Sequence, residues 1–157
     1  TLREILYEHA GGVRGGKKLK AVIPGGSSSP VLRPEEIDIK MDFDSLAAIG
    51  SMLGSAGVIA MDETTCLLEA LSSAARFYHH ESCGQCTPCR EGTGWMDKVL
   101  ARIKNGEGQS GDVDNLQRIA EGIMGNTICP LGDAAAMPVL GFLKKFREEF
   151  ESHVKTG

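Results

Sequence analysis

The sequence predicts an α+β protein with a small sheet in its first third and helices in the remainder. Two short β-type runs, Lys20–Ile23 and Gly57–Met61, lie among loops rich in Gly, Ser and Pro. Beyond Asp62 the apolar residues switch to helical spacing and keep it to the end of the chain. No internal repeat interrupts this order.

The first residues read as a helix. Thr1 and Glu4 form a capping box, and Leu2, Ile5 and Leu6 share a face. Gly11-Gly12 stops it, with His9 near the C-terminal carbonyls. After the first strand, Pro24-Gly25-Gly26-Ser27-Ser28-Ser29-Pro30 is a loop. Its N–H groups could cradle an anion, although a plain turn is the simpler reading. It matches neither the phosphate-loop pattern nor the dinucleotide fingerprint. A second short element lies near Val31-Leu32, and Phe43–Met52 suggests a short helix ended by Gly54. Lys17-Lys18 reads as a solvated loop.

Four amphipathic helices follow. Asp62 can cap the first, whose stripe is Leu67, Leu68, Leu71, Ala74, Ala75 and Tyr78. His79-His80 end it and suit its C-terminal carbonyls. Thr87-Pro88 is an N-cap and N1 pair for the second, with Trp95, Val99, Leu100 and Ile103 assigned to the core. Asp112 opens the third, which carries Val113, Leu116, Ile119, Ala120 and Ile123 and ends at Gly125. Pro138 opens or kinks the fourth, with Phe142, Phe146 and Phe150 on its apolar face. Short connections between such helices predict a small bundle.

Composition narrows the function. The 157 residues include 17 Lys plus Arg against 21 Asp plus Glu, a net charge of −4, with no basic run. That argues against nucleic acid and anionic membrane surfaces as partners. No apolar run approaches the roughly 18 residues of a membrane span, and no secretory signal opens the chain. Neither a Ser/His/Asp nor a Cys/His catalytic pattern is legible.

The chemistry sits in the cysteines. Three of the five fall within seven positions, Cys83-Gly84-Gln85-Cys86-Thr87-Pro88-Cys89, and Cys129-Pro130 follows 40 residues later. An odd total so crowded suits a metal site better than a disulfide framework. Three thiolates on a tight loop can hold three corners of a [4Fe–4S] cubane, and a remote Cys-Pro can close the fourth. Gly84 permits the sharp turn. With Pro88 at N1, Cys89 lies in the first turn of a helix, where the dipole favours negative charge; Arg90 adds to it. Structural zinc in a module that docks partner subunits is the alternative, although zinc modules usually present paired C-x2-4-C units or Cys with His. Cys66, beside Leu67 and Leu68, reads as a buried free thiol.

Four stretches carry a family resemblance: Leu2–Gly12, Ala21–Ser28, Glu81–Gly92 and Thr127–Asp133. Over essentially its whole length the chain resembles the C-terminal part of the NADH-binding flavoprotein subunits of respiratory complex I, the NADH–quinone oxidoreductases. Subunits of NAD-linked formate dehydrogenases and NAD-reducing hydrogenases are related. The resemblance implies a soluble-ligand-binding β-grasp unit, truncated, over 1–61, and a helical-bundle iron–sulfur domain over 62–157. It implies an electron relay in which FMN, reduced by NADH, passes electrons through a [4Fe–4S] cluster towards quinone. Cys83, Cys86, Cys89 and Cys129 match the ligands, and Pro130 and Leu131 match backbone near the flavin. The implied partners are an upstream FMN- and NADH-binding domain, a [2Fe–2S] partner subunit and other peripheral-arm subunits. The implied location is cytoplasmic, peripheral on the inner face of the membrane, or on the matrix side in a eukaryote, without direct membrane insertion. The upstream nucleotide-binding domain and the first β-hairpin have no counterpart in the sequence. The expectation is therefore a fragment or one piece of a split protein that does not oxidise NADH alone.

Overall fold

The structure, a computed structural model, describes residues 1–155. Helices and one small sheet divide into two compact units, Thr1–Thr65 and the chain from Cys66 onward, a few residues past the expected 61/62 boundary.

In the N-terminal unit the capping box forms as expected. The Thr1 hydroxyl accepts the Glu4 N–H at the start of α1 (Leu2–Glu4), and the Glu4 carboxylate reaches back to Thr1. The segment continues as a π-helical turn, Ile5–His9. The first N–H groups of α1, on Leu2 and Arg3, donate to the carbonyls of Ile39 and Ile37, both at 2.9 Å. Donors that every helix leaves orphaned thus fasten it to the 37–39 segment. Strand β1 (Leu19–Ile23) pairs antiparallel with β2 (Ile59–Asp62), Ile23 opposite Ile59 and Ala21 opposite Met61, with a bulge at Lys20. Val22 also bridges Leu32 on the other side of β1, where a second element was expected. Leu2, Leu6, Leu19, Val22, Leu32, Ile37 and Leu46 bury together beneath these elements. The short helix α2 (Phe43–Ala48) stops at Gly50, before the expected Gly54.

The glycine-serine loop is a packed turn. Its Gly26 N–H donates to Gly57 and its Ser29 N–H to Gly26. A Cβ on Gly25 would stand 2.3 Å from the Leu53 carbonyl oxygen, so two loops cross at a point where only glycine fits.

Asp62 does not cap a helix. It ends β2, accepts from Thr64 and Thr65, and pairs with Lys17 at 3.1 Å. The Thr64 and Lys17 donors hold its carboxyl well below the usual carboxylate range. Lys17 and Lys18 are exposed outside any helix or strand, as expected of a solvated loop, and Lys17 also pairs with Asp62 there.

The helical unit contains α3 (Leu67–Glu81), α4 (Thr87–Lys104), α5 (Asp112–Ile123) and α6 (Leu131–Lys155). They pack in a closed cycle: α3 on α4, α4 on α5, α5 on α6, and α6 on α3. The stripes meet as their spacing dictates. Leu68 and Leu71 of α3, Met96 and Leu100 of α4, Leu116 and Ala120 of α5, and Val139, Phe142 and Phe150 of α6 are all buried. Phe142 contacts both Phe146 and Phe150 ring to ring. Helix α6 starts at Leu131, seven residues before Pro138, and its deviation from helical geometry falls at Phe146 (φ −132°, ψ 24°). Trp95, assigned to the core from its spacing, is 52% exposed and lines a groove of about 620 Å³ between α4 and α5. His79 does not cap its own helix; its Nδ1 lies 3.3 Å from Asp97 on α4.

One charged pair secures the α4–α5 connection. Asp112, 4% exposed, takes both Nε and Nη2 of Arg102 and the Gln109 N–H. Burial pushes its carboxyl up, but these donors prevail and hold it below its ordinary value. The pair's contribution is thus present above the unfolded carboxyl value of about 3.9 and is lost as pH falls through the lowered native one. Arg102→Met should cost about 1–3 kcal/mol at neutral pH by stranding the carboxylate. In urea titrations followed by circular dichroism, that difference from the wild type should shrink below about pH 4.

Candidate iron–sulfur centre

The four predicted cysteines come together. Cys83, Cys86, Cys89 and Cys129 line one cavity of about 120 Å³, with Glu81, Ser82, Gln85, Thr127 and Leu131. All four are free thiols. Helix ends bring them there. Cys83 follows the last residues of α3, and Cys86 is the N-cap of α4. Cys89 lies in the first turn of α4, and Cys129 shortly precedes α6. The α4 cap falls on Cys86 rather than Thr87, with Pro88 still in the first turn, where its missing N–H costs nothing. The N-terminal ends of α4 and α6 both border the cavity, so their dipoles favour negative charge in it.

The thiol loop is held in shape from within. Gly84 has φ +78°, a conformation that side chains strain to adopt. Arg90 folds back over the loop: its Nη1 donates to the Gly84 carbonyl at 2.9 Å, and its Nε pairs with Glu91. It therefore serves the loop's shape as well as its charge. On the far side, the Gly125 N–H donates to Asp133 at 2.8 Å and the Thr127 hydroxyl to the Cys129 carbonyl at 3.0 Å. Together these fix the turn leading into α6.

Two donors missed in the sequence reach the sulfurs. The Ile128 N–H lies 3.4 Å from Cys86 Sγ, and Ser82 Oγ lies 3.2 Å from Cys89 Sγ. Ser82 stands next to the motif, but its direction depends on how α3 ends, which no spacing reveals. Exposure is uneven: Cys89 is buried, Cys86 half-buried, and Cys83 and Cys129 exposed. Ile128 is 88% exposed, an apolar side chain at the rim. Of the residues expected near a flavin, Leu131 lines the cavity and Pro130 is exposed.

The donor set suits a cluster. Four thiols with no imidazole, disposed around a small cavity between positive helix ends, match all-cysteine ligation of a cubane. Fold and site together define a candidate metal centre of the four-thiol type. The particular family follows from comparison: a family model described as the NADH-ubiquinone oxidoreductase-F iron-sulfur binding region matches residues 69–153, more than half of the chain, and the chain belongs to that family. That family's region is a 4Fe–4S one, which decides between iron–sulfur and zinc for this chain.

Curated relatives agree. The chain is 55% identical over 155 residues to the F-type subunit, number 2, of the NADH-quinone oxidoreductase of Rhizobium meliloti (strain 1021). It is 50% identical over 157 residues to the F-type subunit of the NADH-quinone oxidoreductase of Rickettsia akari (strain Hartford). Each alignment takes in 99% of this chain but 37% of the relative, so the chain spans little more than a third of their length. Among solved structures, NAD+-reducing [NiFe]-hydrogenase in the H2-reduced state matches with a TM-score of 0.82 and 27% identity. That match covers 95% of this chain and 25% of the other. The air-oxidized state matches with a TM-score of 0.79 and 28% identity, covering 88% and 24%.

Gly84→Ala should raise the energy of the loop by about 1 kcal/mol through its positive φ alone. Iron release to a chelator should then run several-fold faster, while the helix content seen by circular dichroism stays the same.

Proposed function

We propose that this chain is the electron-relay part of an NADH–quinone oxidoreductase flavoprotein subunit, with Cys83, Cys86, Cys89 and Cys129 ligating its [4Fe–4S] cluster. The supporting observation is the convergence of these four thiols on one cavity between helix ends. When bound, such a cluster supplies one-electron transfer at a potential set by its surroundings. The protein's part is electrostatic and geometric. The Ile128 N–H and the Ser82 hydroxyl stabilise negative charge on sulfur, which favours the reduced cluster and raises its potential. The buried Cys89 fixes one side, and the exposed Cys83 and Cys129 turn the opposite side outward for exchange with partners.

On this reading the electrons come from FMN, reduced by NADH in an upstream domain, and pass Pro130 and Leu131 on their way in. They leave through a [2Fe–2S] partner subunit and the other peripheral-arm subunits towards quinone. The chain alone would then lack the means to oxidise NADH. We also read 1–61 as part of a β-grasp domain and 62–157 as a four-helix cluster domain. The place we propose is peripheral, at the inner face of the cytoplasmic membrane, or on the matrix side in a eukaryote; no described helix is long and apolar enough to cross a membrane. A role in a hydrogenase or formate dehydrogenase is the second reading, favoured by the fold match to the NAD+-reducing hydrogenase. The higher identity to quinone oxidoreductase subunits puts the first ahead.

Anaerobically purified protein should contain iron and acid-labile sulfide and give a spin-half EPR signal from one cubane after dithionite reduction. Cys129→Ala should abolish that signal. An unchanged signal would remove Cys129 from the ligand set, and zinc in place of iron in the wild type would overturn the relay.

Ser82→Ala should keep the cluster but lower its potential. Loss of one donor worth about 0.5–1.5 kcal/mol corresponds to about 20–60 mV for a single electron. An EPR-monitored redox titration reads this, and an unmoved potential would dismiss Ser82 as a donor to the cluster.

A further inference from the structure

The fifth cysteine has partners of its own. Cys66, the N-cap of α3, adopts an extended backbone (φ −77°, ψ 115°) and makes no capping bond with its side chain. Its sulfur instead lies 3.6 Å from Nε2 of His153, near the end of α6. Glu149 stands four residues before His153, on the same face of that helix. Sulfur, imidazole nitrogen and carboxylate oxygen all lie within 4.8 Å of one another, and all three residues are half-buried.

We propose that Cys66, Glu149 and His153 form a second metal site, for a divalent ion of the zinc class, separate from the cluster cavity. Geometry carries the proposal. A tetrahedral zinc with Zn–S of about 2.3 Å and Zn–N of about 2.0–2.1 Å separates its sulfur and nitrogen ligands by about 3.6 Å. Cys66 and His153 already stand at that spacing. The carboxylate is oriented as well: its Oε1 accepts the Leu67 N–H at 3.0 Å, the kind of outer hydrogen bond that fixes a ligating carboxylate. One thiolate, one imidazole and one carboxylate are the donor types of zinc, and half-burial leaves room for water as a fourth ligand.

Such an ion would join the start of α3 to the end of α6, residues 87 apart in sequence. It would bind the folded state alone and so stabilise the helical unit.

The test uses the full chain, purified anaerobically with its cluster, incubated with zinc chloride and desalted. Iron measured on the same sample shows that the cluster cysteines are occupied. The expected result is one zinc per chain in addition to the cluster iron, with a higher melting temperature. Zinc X-ray absorption should show one sulfur at about 2.3 Å and otherwise nitrogen or oxygen. Cys66→Ser and His153→Gln should each weaken zinc retention at least tenfold while iron content stays constant. Failure to retain zinc, equal retention by Cys66→Ser, or a zinc shell of four sulfurs would each overturn the proposal. Cluster spectroscopy is independent of the first two outcomes, and a four-sulfur shell would go with loss of cluster iron.

Discussion

The cluster cavity depends on the packing of α3, α4 and α6. No single helix end supplies more than two of the four sulfurs. Cys83 hangs from the end of α3, Cys86 and Cys89 belong to the start of α4, and Cys129 precedes α6. Their separation is therefore set by how Leu68, Leu71, Met96, Leu100, Val139 and Phe142 interdigitate below them. Interiors packed at crystal-like density resist small displacements, so the apolar core acts as the ruler for the metal site. Hydrogen bonds then trim the detail, with Arg90 across the thiol loop and Asp133 beneath the Cys129 turn.

Electrostatics follows from the same arrangement. Helix ends at a cavity bring unpaired N–H groups and the positive ends of two dipoles with them. An anionic cluster of thiolates and sulfides would be costly among buried side chains without such compensation. The chain provides it mostly with backbone: Arg90, the one cation of the motif, is half-exposed and turned onto a carbonyl and Glu91.

Much of this was legible in the residues because local rules govern it. The thiol spacing, Pro88 at the head of α4, Gly84 at the turn and the apolar stripes all act over a few positions. The errors arose where a distant partner decided the outcome. Asp62 looks like a cap until Lys17 and the Thr64–Thr65 turn claim its carboxylate. Trp95 continues a core stripe, yet it sits on the groove edge of that stripe. His79 is drawn to Asp97 of the neighbouring helix. Pro138 suggested a helix start or a kink, but α6 already runs through it because only one ladder bond is lost there, and the deviation from helical geometry falls at Phe146. Cys66 is the free thiol expected, half-buried rather than buried, and nothing near it in sequence reveals His153, 87 residues on.

The chain order of the four proposed ligands has a further consequence. Cys83, Cys86 and Cys89 occupy one short stretch, whereas all of α5 separates them from Cys129. During synthesis three corners of a cluster can be offered as soon as α3 and α4 have emerged. The last becomes available only once α5 has folded across and the start of α6 has docked. With these ligands, stable capture of the cluster would be a late event that reports completion of the helical unit, because ligands fixed by a fold bind only as that fold forms. A polypeptide stalled before Cys129 would present an open, three-cornered site, and the final turn into α6 acts as the latch that distinguishes a finished domain from an unfinished one.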